Sequence, residues 1–224
     1  MIHDICIPRV IYIYNEGIKN FNFKEIKDFI NKNFGKIQVN LVNLRNEIVQ
    51  TKGLIFDFIS TKKFFDKLKY AKVKNPCHII LTNKLFATFA EDGRPHIRTS
   101  IYSSPSIIST SGIVEGPAKP REYYLYKQKC TQLGIWDIEE PKIKRRLCKR
   151  FIDYQDKRLN EVLKGYIAQA LFFYITGQPF CSHKNCRLFN AHWQEDLIYA
   201  QIKMGKFCKL HQGLLKDVRA KFSL

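Results

Sequence analysis

The chain has 224 residues, with 45% hydrophobic and 26% charged residues, proportions that exclude a low-complexity protein and fit one domain spanning residues 1–224. Lys and Arg number 38 against 20 Asp and Glu, so the net charge of +18 permits attraction to nucleic acid. No apolar run approaches the roughly 20 residues that span a bilayer, and seven cysteines, an odd number, suit a reducing compartment. We therefore expect a cytoplasmic protein with no membrane partner, and nothing in the sequence predicts its oligomeric state.

The first third of the chain is predicted to form strand, helix and strand. Residues 10–14 (VIYIY) are β-branched and aromatic, as in a buried strand. Residues 23–34 carry apolar side chains at helical spacing before Gly35, which favours a helix end. Residues 37–44 alternate apolar and polar side chains, as a second strand does. A helix between two strands favours a parallel crossover.

The middle of the chain has the pattern of short strands, whereas the C-terminal half is mostly helical. The middle is predicted to contain a helix at 61–70 and strands at 78–82, 85–90, 97–102 and 107–109, with a turn at 91–95. Residues 109–120 are rich in small residues and predict a loop. Further helices are predicted at 121–133, 143–154, 157–176 and 195–203. The fold class is therefore expected to be α/β, with a mixed β-sheet.

Three cysteines and one histidine near the C-terminus have the spacing of a closed zinc site. Four residues separate Cys181 from Cys186, twenty-one follow, and two residues separate Cys208 from His211. Three thiolates and one imidazole are a standard ligand set for a structural zinc ion. We expect one such ion, which would pin the C-terminal part, residues 177–224. The competing candidates for the fourth ligand are His183 and His192.

The order of these elements, followed by Gly177 and the cysteines, resembles the archaemetzincins, a family of zinc metallopeptidases. In that family a long helix carries His-Glu-x-x-His-x-x-Gly-x-x-His-Cys, and three further cysteines complete a second, structural zinc site. Gly177 matches the motif's glycine and Cys181 its terminal cysteine. Cys186 and Cys208 match the next two cysteines, while His211 stands where the last is expected. The resemblance implies a metzincin-like α/β fold, and it extends to archaeal proteins classed as metallopeptidases.

The catalytic positions of the motif do not match. The three positions of the zinc-binding histidines hold Ala170, Tyr174 and Phe180, and the position of the general base holds Leu171. Alanine and phenylalanine cannot bind a metal, and leucine cannot deprotonate water. Leu188 replaces the methionine of the turn beneath the catalytic zinc. The resemblance therefore implies a pseudo-peptidase that has lost its catalytic zinc.

The function expected first is that of a peptide-binding or protein-binding module. A groove beside an edge strand can bind an extended peptide through backbone pairing, which needs no catalytic metal. One alternative is an unconventional hydrolase that works through Glu115 and His96, with Asp92, Lys119 and Arg121 as neighbours.

The other alternative is a basic, zinc-containing nucleic-acid-binding protein, which rests on charge alone. Its densest basic run is Lys142, Lys144, Arg145, Arg146, Lys149 and Arg150. In a lysine-rich chain, a solvated helix face explains such a run better than a dedicated nucleic-acid contact does.

Overall fold

The computed structural model describes residues 7–19, 21–69 and 75–221. Its strands are β1 (Val10–Glu16), β2 (Gln38–Asn43), β3 (Thr51–Lys52), β4 (Ile55–Phe56), β5 (Cys77–Thr82), β6 (Ala87–Phe89), β7 (Pro95–Ile97), β8 (Ser100–Ile101) and β9 (Ser106–Ser109). Its helices are α1 (Phe23–Phe34), α2 (Phe58–Phe65), α3 (Thr110–Glu115), α4 (Arg121–Gln132), α5 (Trp136–Leu147), α6 (Leu159–Thr176), α7 (Gln194–Ile198) and α8 (Lys209–Ala220). A π-helical segment (Tyr199–Met204) follows α7. The expected mixed α/β architecture is confirmed.

Five strands form the central sheet in the order β2-β1-β5-β9-β8. β1 pairs in parallel with β2 and β5, and β5 pairs in parallel with β9. β8 is antiparallel to β9 and is the last strand of the sheet. The crossover predicted from the first strand, helix and strand is therefore confirmed. A second sheet has the order β3-β4-β6-β7.

The central sheet buries both of its faces, as the alternation of its strands requires. Ile13 and Ile79 point into the larger core cluster, which includes most of the buried face of α6. Their neighbours Tyr14 and Ile80 point into a second cluster with Phe65 of α2. The central strands are therefore apolar on both sides, which explains the continuous apolar runs in the sequence.

Helix α1 has the bounds that its sequence predicts. The side chain of Asn22 accepts a hydrogen bond from the backbone N–H of Glu25, which caps the first turn. Gly35 follows the last turn with a φ of 105°, a conformation that favours glycine. The buried face repeats at helical spacing, through Ile26, Ile30 and Phe34.

Helix α6 runs beneath the central sheet and is apolar on nearly all sides, as expected of a buried helix. It ends at Gly177, which has a φ of 74° and donates its N–H to the carbonyl of Phe173. This left-handed end turns the chain towards Cys181. Buried side chains of the segment that follows, such as Cys186, Leu197 and Val218, pack into the same core cluster as β1 and β5. None of the helices within the described residues is long and apolar enough to cross a membrane.

Two sequence predictions of local structure were wrong, and one helix was missed. The loop expected at 109–120 contains α3, whose first turn is capped by Ser109. Its residues are small because α3 packs closely: a Cβ on Gly112 would lie 2.2 Å from the carbonyl oxygen of Arg98. The helix expected at 143–154 begins earlier, at Trp136, and includes Pro141. Helix α8 was not predicted.

The bounds of other elements differ from the predicted bounds by a few residues. The strand expected at 97–102 is divided between β7 and β8, and α2 begins three residues before the predicted start at 61. The predicted end of that helix, residue 70, lies outside the described residues.

Candidate metal centre

The Cys3His cluster, defined as Cys181, Cys186, Cys208 and His211, forms where three segments meet. Cys181 follows the end of α6, and its N–H donates to the carbonyl of Leu188, which closes a loop around Cys186. Cys208 is the N-cap of α8, and His211 lies in the first turn of that helix. Residues three apart lie on the same helix face, so the last ligand pair is held by one turn of helix.

The geometry of the cluster fits a tetrahedral zinc ion. Its four ligand atoms all lie within 4.8 Å of one another. Cys181 Sγ lies 3.9 Å from Cys208 Sγ, and His211 Nδ1 lies 3.8 Å from Cys186 Sγ and 3.1 Å from Cys208 Sγ. A zinc tetrahedron with standard bond lengths has S–S edges of about 3.8 Å and S–N edges of about 3.5 Å. The cluster so defined contains His211 and neither His183 nor His192.

The cluster is largely buried, and two of its sulfur atoms accept backbone hydrogen bonds. Cys181, Cys186 and His211 are 8%, 0% and 7% exposed, while Cys208 is half-buried. Burial of most of the ligands is typical of a structural zinc site. The N–H of His183 donates to Cys181 Sγ at 3.4 Å, and the N–H of Cys208 donates to Cys186 Sγ at 3.5 Å. Such donors stabilise negative charge on sulfur.

The protonation chemistry of the cluster also suits a cation. Burial raises the pKa of the Cys186 thiol to about 12, and burial likewise raises the pKa of Cys181. Burial acts the same way on Cys208, but backbone N–H groups at the start of α8 and the neighbouring thiols bring its pKa below the ordinary value. Burial, with a smaller effect of nearby His183, lowers the pKa of His211. The lowered pKa of His211 favours the neutral imidazole that metal binding needs, and the charge of a bound cation would offset the cost of deprotonating the buried thiols.

The positions of the motif's catalytic residues lie in and beside the core. Ala170 and Leu171 are fully buried. The Tyr174 hydroxyl donates to the carbonyl of Asn75 at 3.2 Å. Phe180 is 42% exposed and its ring lies 5.6 Å from that of Tyr102. Among the described residues, the Cys3His cluster is the one group of three or more His, Cys, Asp or Glu side chains placed to hold a metal.

Tyr102 is a residue of this region that the sequence did not single out. It follows the edge strand β8, and its hydroxyl donates to Gln169 Oε1 of α6 at 2.6 Å. Its ring also contacts Phe173, at 6.1 Å between centroids. The available signal was Gln169, the one amide side chain among the buried residues of α6. A buried polar group on an apolar helix needs a partner, and here the partner comes from the sheet edge.

The residues of the hydrolase alternative fall into two separate pairs. His96 lies 3.4 Å from Asp92 across the exposed turn between β6 and β7. Glu115 instead pairs with the buried Lys119 at 3.1 Å. No hydrogen bond or ion pair among residues 7–19, 21–69 and 75–221 joins the two pairs. Arg121 begins α4.

The dense basic run around α5 is largely neutralised by carboxylates. Arg146 and Arg150 share Glu122, at 2.6 and 3.0 Å. Lys142 pairs with Glu139 at 2.5 Å, and Lys144 pairs with Glu140 at 3.4 Å. Four of its six cations are therefore held in local ion pairs, which favours the solvated-face interpretation of this run.

An α/β fold of this topology, with a Cys3His cluster behind its long buried helix, defines a metallopeptidase-like zinc-binding fold. Residues 9–218 match the family described as Probable metallopeptidase family (DUF6775), and the chain belongs to that family. The chain is similar in fold to archaemetzincin (amzA) from Methanopyrus kandleri: the TM-score is 0.57 at 9% sequence identity, over 94% of this chain and 95% of that chain. No curated protein matches the chain. The expected archaemetzincin-like class is thus confirmed.

Proposed function

We propose that this protein is a metzincin-like pseudo-peptidase that holds one structural zinc ion and binds an extended peptide along β8. The observation that carries the proposal is the contrast between two parts of one scaffold. The Cys3His cluster keeps a complete set of metal ligands, whereas the catalytic positions on and after α6 keep none.

The structural zinc is supported by the tetrahedral spacing and the predominant burial of the Cys3His cluster. The ion would be held by Cys181, Cys186, Cys208 and His211, and its charge would stabilise three thiolates inside the fold. It would join the loop after α6 to the start of α8, and so pin residues 177–224 within a single domain of residues 1–224. Reduced thiols of this kind suit the cytoplasm, which we propose as the compartment.

The absence of peptidase chemistry is supported by the side chains at the catalytic positions. A zinc-activated water needs protein ligands with an open coordination site and a nearby general base. Ala170 and Leu171 supply neither and are sealed in the core. Tyr174 and Phe180 occupy the other two positions with aromatic rings.

The peptide site is supported by the position of β8, which is a terminal strand of the central sheet within the described residues. The carbonyl of Thr99 accepts from the N–H of Ser109 in β9 at 2.8 Å, so the backbone of Thr99 faces the sheet. Because backbone groups alternate along a strand, the N–H and C=O of Ser100 face the open edge. A peptide paired there would pass Tyr102 and Phe180, whose rings offer an apolar surface beside α6.

Metal content and activity test the first half of the proposal. Elemental analysis of the purified protein should give one zinc per chain, removed by a strong chelator, with no hydrolysis of casein or of a quenched peptide library. Two tightly held ions, or hydrolysis that a chelator abolishes, would overturn the loss of catalysis. Protein that contains no zinc as purified and gains no thermal stability when zinc is added would overturn the structural site.

Peptide display tests the proposed binding of an extended peptide along β8. The zinc-loaded protein should enrich extended sequences from a random heptapeptide library. Ser100→Pro removes the outward N–H at an edge where proline is tolerated, and it should abolish this binding. Ser100→Ala keeps the N–H and should leave binding intact. No enrichment, or equal binding by both variants, would refute pairing at β8.

The hydrolase alternative stays a prediction with its own test. It requires hydrolysis that survives zinc removal and is lost in Glu115→Ala. The separation of the Glu115 and His96 pairs gives it less support than the peptide site has.

A further inference from the structure

A cleft of about 510 Å³ lies between α1 and α8, and its lining is strongly cationic. Phe207 and Arg187, which line it, are sequence neighbours of the metal ligands Cys208 and Cys186. Six lining side chains are basic: Lys32, Lys164, Arg187, Lys206, Lys216 and Arg219. The acidic side chain in the lining is Glu161. The volume of the cleft is within the range of small-ligand sites.

Regular elements place these cations in a fixed arrangement. Lys216 and Arg219 are three residues apart in α8 and therefore share one face of that helix. Lys32 lies in α1 on the other wall. Phe29 and Phe207 stack at 6.4 Å between centroids and form an apolar floor. The cationic groups thus surround a low-dielectric surface, which strengthens their field in the cleft.

Arg187 is buried, 3% exposed, yet it lines the cleft. Its Nε donates to the carbonyl of Gly205 at 3.1 Å, and its Nη2 donates to Glu161 and to the carbonyl of Gln201. The guanidinium lies over Phe29, 5.0 Å from the ring centroid. Its Nη1 is buried with no hydrogen-bond partner among the described residues. A guanidinium that is held in place and still has an N–H donor without a partner suits an anion-binding site.

Carboxylates neutralise only part of this charge. Lys164 pairs with Glu161 at 2.8 Å and with Glu25 at 3.1 Å, and Glu161 also pairs with Arg187. Three further cations that line the cleft make no ion pair within the described part of the chain: Lys32, Lys206 and Lys216. This differs from the basic run around α5, where most cations have carboxylate partners. Like charges gathered in a concave site repel one another, and a bound anion would offset that repulsion.

We propose that this cleft binds the phosphate group of an anionic ligand, with Lys32, Lys206 and Lys216 as direct contacts and Arg187 as a fixed source of positive potential. Phosphate is the anion that combines high charge with acceptor oxygens for several ammonium donors. Two sources share this chemistry: a small phosphorylated molecule and the backbone of a single-stranded nucleic acid.

The test uses the full-length, zinc-loaded chain and two probes in phosphate-free buffer. Inorganic phosphate is titrated by calorimetry, and a fluorescent single-stranded RNA of mixed sequence is titrated by anisotropy at several salt concentrations. The cleft variant combines Lys32→Gln with Lys216→Gln. The control combines Lys129→Gln with Lys149→Gln, which removes the same charge from the region of α4 and α5.

The cleft variant should weaken binding by roughly tenfold or more, since hydrogen bonds to charged groups are the strong ones. The control should weaken it by about twofold or less, because salt screens distant charges. If RNA is the ligand, the slope of log affinity against log salt should also flatten by about 0.7 for each phosphate that the variant no longer neutralises. Phosphate binding without RNA binding would support the small-molecule source. Equal effects of both variants, or no binding of either probe at low salt, would overturn the proposal.

Discussion

Replacing Cys186 with serine tests the metal centre at its most enclosed ligand. The Cys186 side chain is fully buried, and serine is close to it in size, so the substitution changes packing little. A hydroxyl is a poor zinc ligand, and three remaining ligands leave the site open. His183→Ala is the matched control. Its exposed ring is outside the cluster, and only its backbone N–H reaches Cys181 Sγ.

The size of the effect follows from metal linkage. With free zinc held at 100 times its Kd, bound zinc stabilises the folded chain by about 2.7 kcal/mol. A chain of 224 residues has an unfolding entropy of about 0.5 kcal/mol per kelvin, taken as about 2.1 cal/mol/K per residue. Loss of zinc binding in Cys186→Ser should therefore lower Tm by about 6 °C. His183→Ala should change Tm by less than about 1 °C.

Scanning calorimetry at matched free zinc, with metal content measured on the same samples, provides the assay. A chelator should lower the Tm of the wild type and of His183→Ala, but it should not change that of Cys186→Ser. Equal losses in both variants would mean that His183 is a ligand. An unchanged Tm in Cys186→Ser, or the same chelator response in all three proteins, would refute the reasoning.

Three further predictions concern the core and the catalytic positions. Burial lowers the pKa of His78 to about 4, so the unfolded chain binds a proton more readily between pH 6.5 and 4. Denaturant unfolding should show a loss of up to about 3 kcal/mol as pH falls through that window, absent in His78→Gln. Gly165→Ala places a Cβ 1.7 Å from Gln201 Oε1 and should cost about 1–3 kcal/mol in thermal unfolding, whereas Gly213→Ala meets nothing within 4 Å and should not destabilise. Tyr174→His should gain no peptidase activity in a casein assay, because Ala170 and Phe180 still supply no ligand; measurable turnover would contradict the proposed loss of catalysis.

The sequence predicted elements well where one local signal was strong. Helix α1 has both an amphipathic pattern and a glycine at its end, and α6 has a long apolar run that ends at Gly177. The ligands of the candidate metal centre were predicted for the same reason, since chelating pairs are short-range patterns. Cys181 and Cys186, and likewise Cys208 and His211, lie close in sequence before folding brings the pairs together.

What the sequence did not predict depends on contacts between distant segments. Helix α3 has the composition of a loop because it packs closely: its glycine, Gly112, lies against the backbone of Arg98 and Thr99, between β7 and β8. The contact between Tyr102 and Gln169 joins residues 67 positions apart. Short-range sequence patterns do not predict contacts between such distant residues. The cationic cleft is also assembled from five separate stretches of the chain, in α1, in α6, at Arg187, around Lys206 and in α8, each ordinary in composition alone.

The packing around α6 limits how this family member can change under selection. A histidine at position 170 or a glutamate at 171 would enter a fully enclosed space, where an added side chain typically costs about 1–3 kcal/mol before any metal is bound. Natural proteins have only a small reserve of stability, so selection removes single substitutions of this kind before further substitutions can complete a catalytic site. New activity is therefore more accessible at the protein surface, where an added side chain meets no packed neighbours, than in the helix interior.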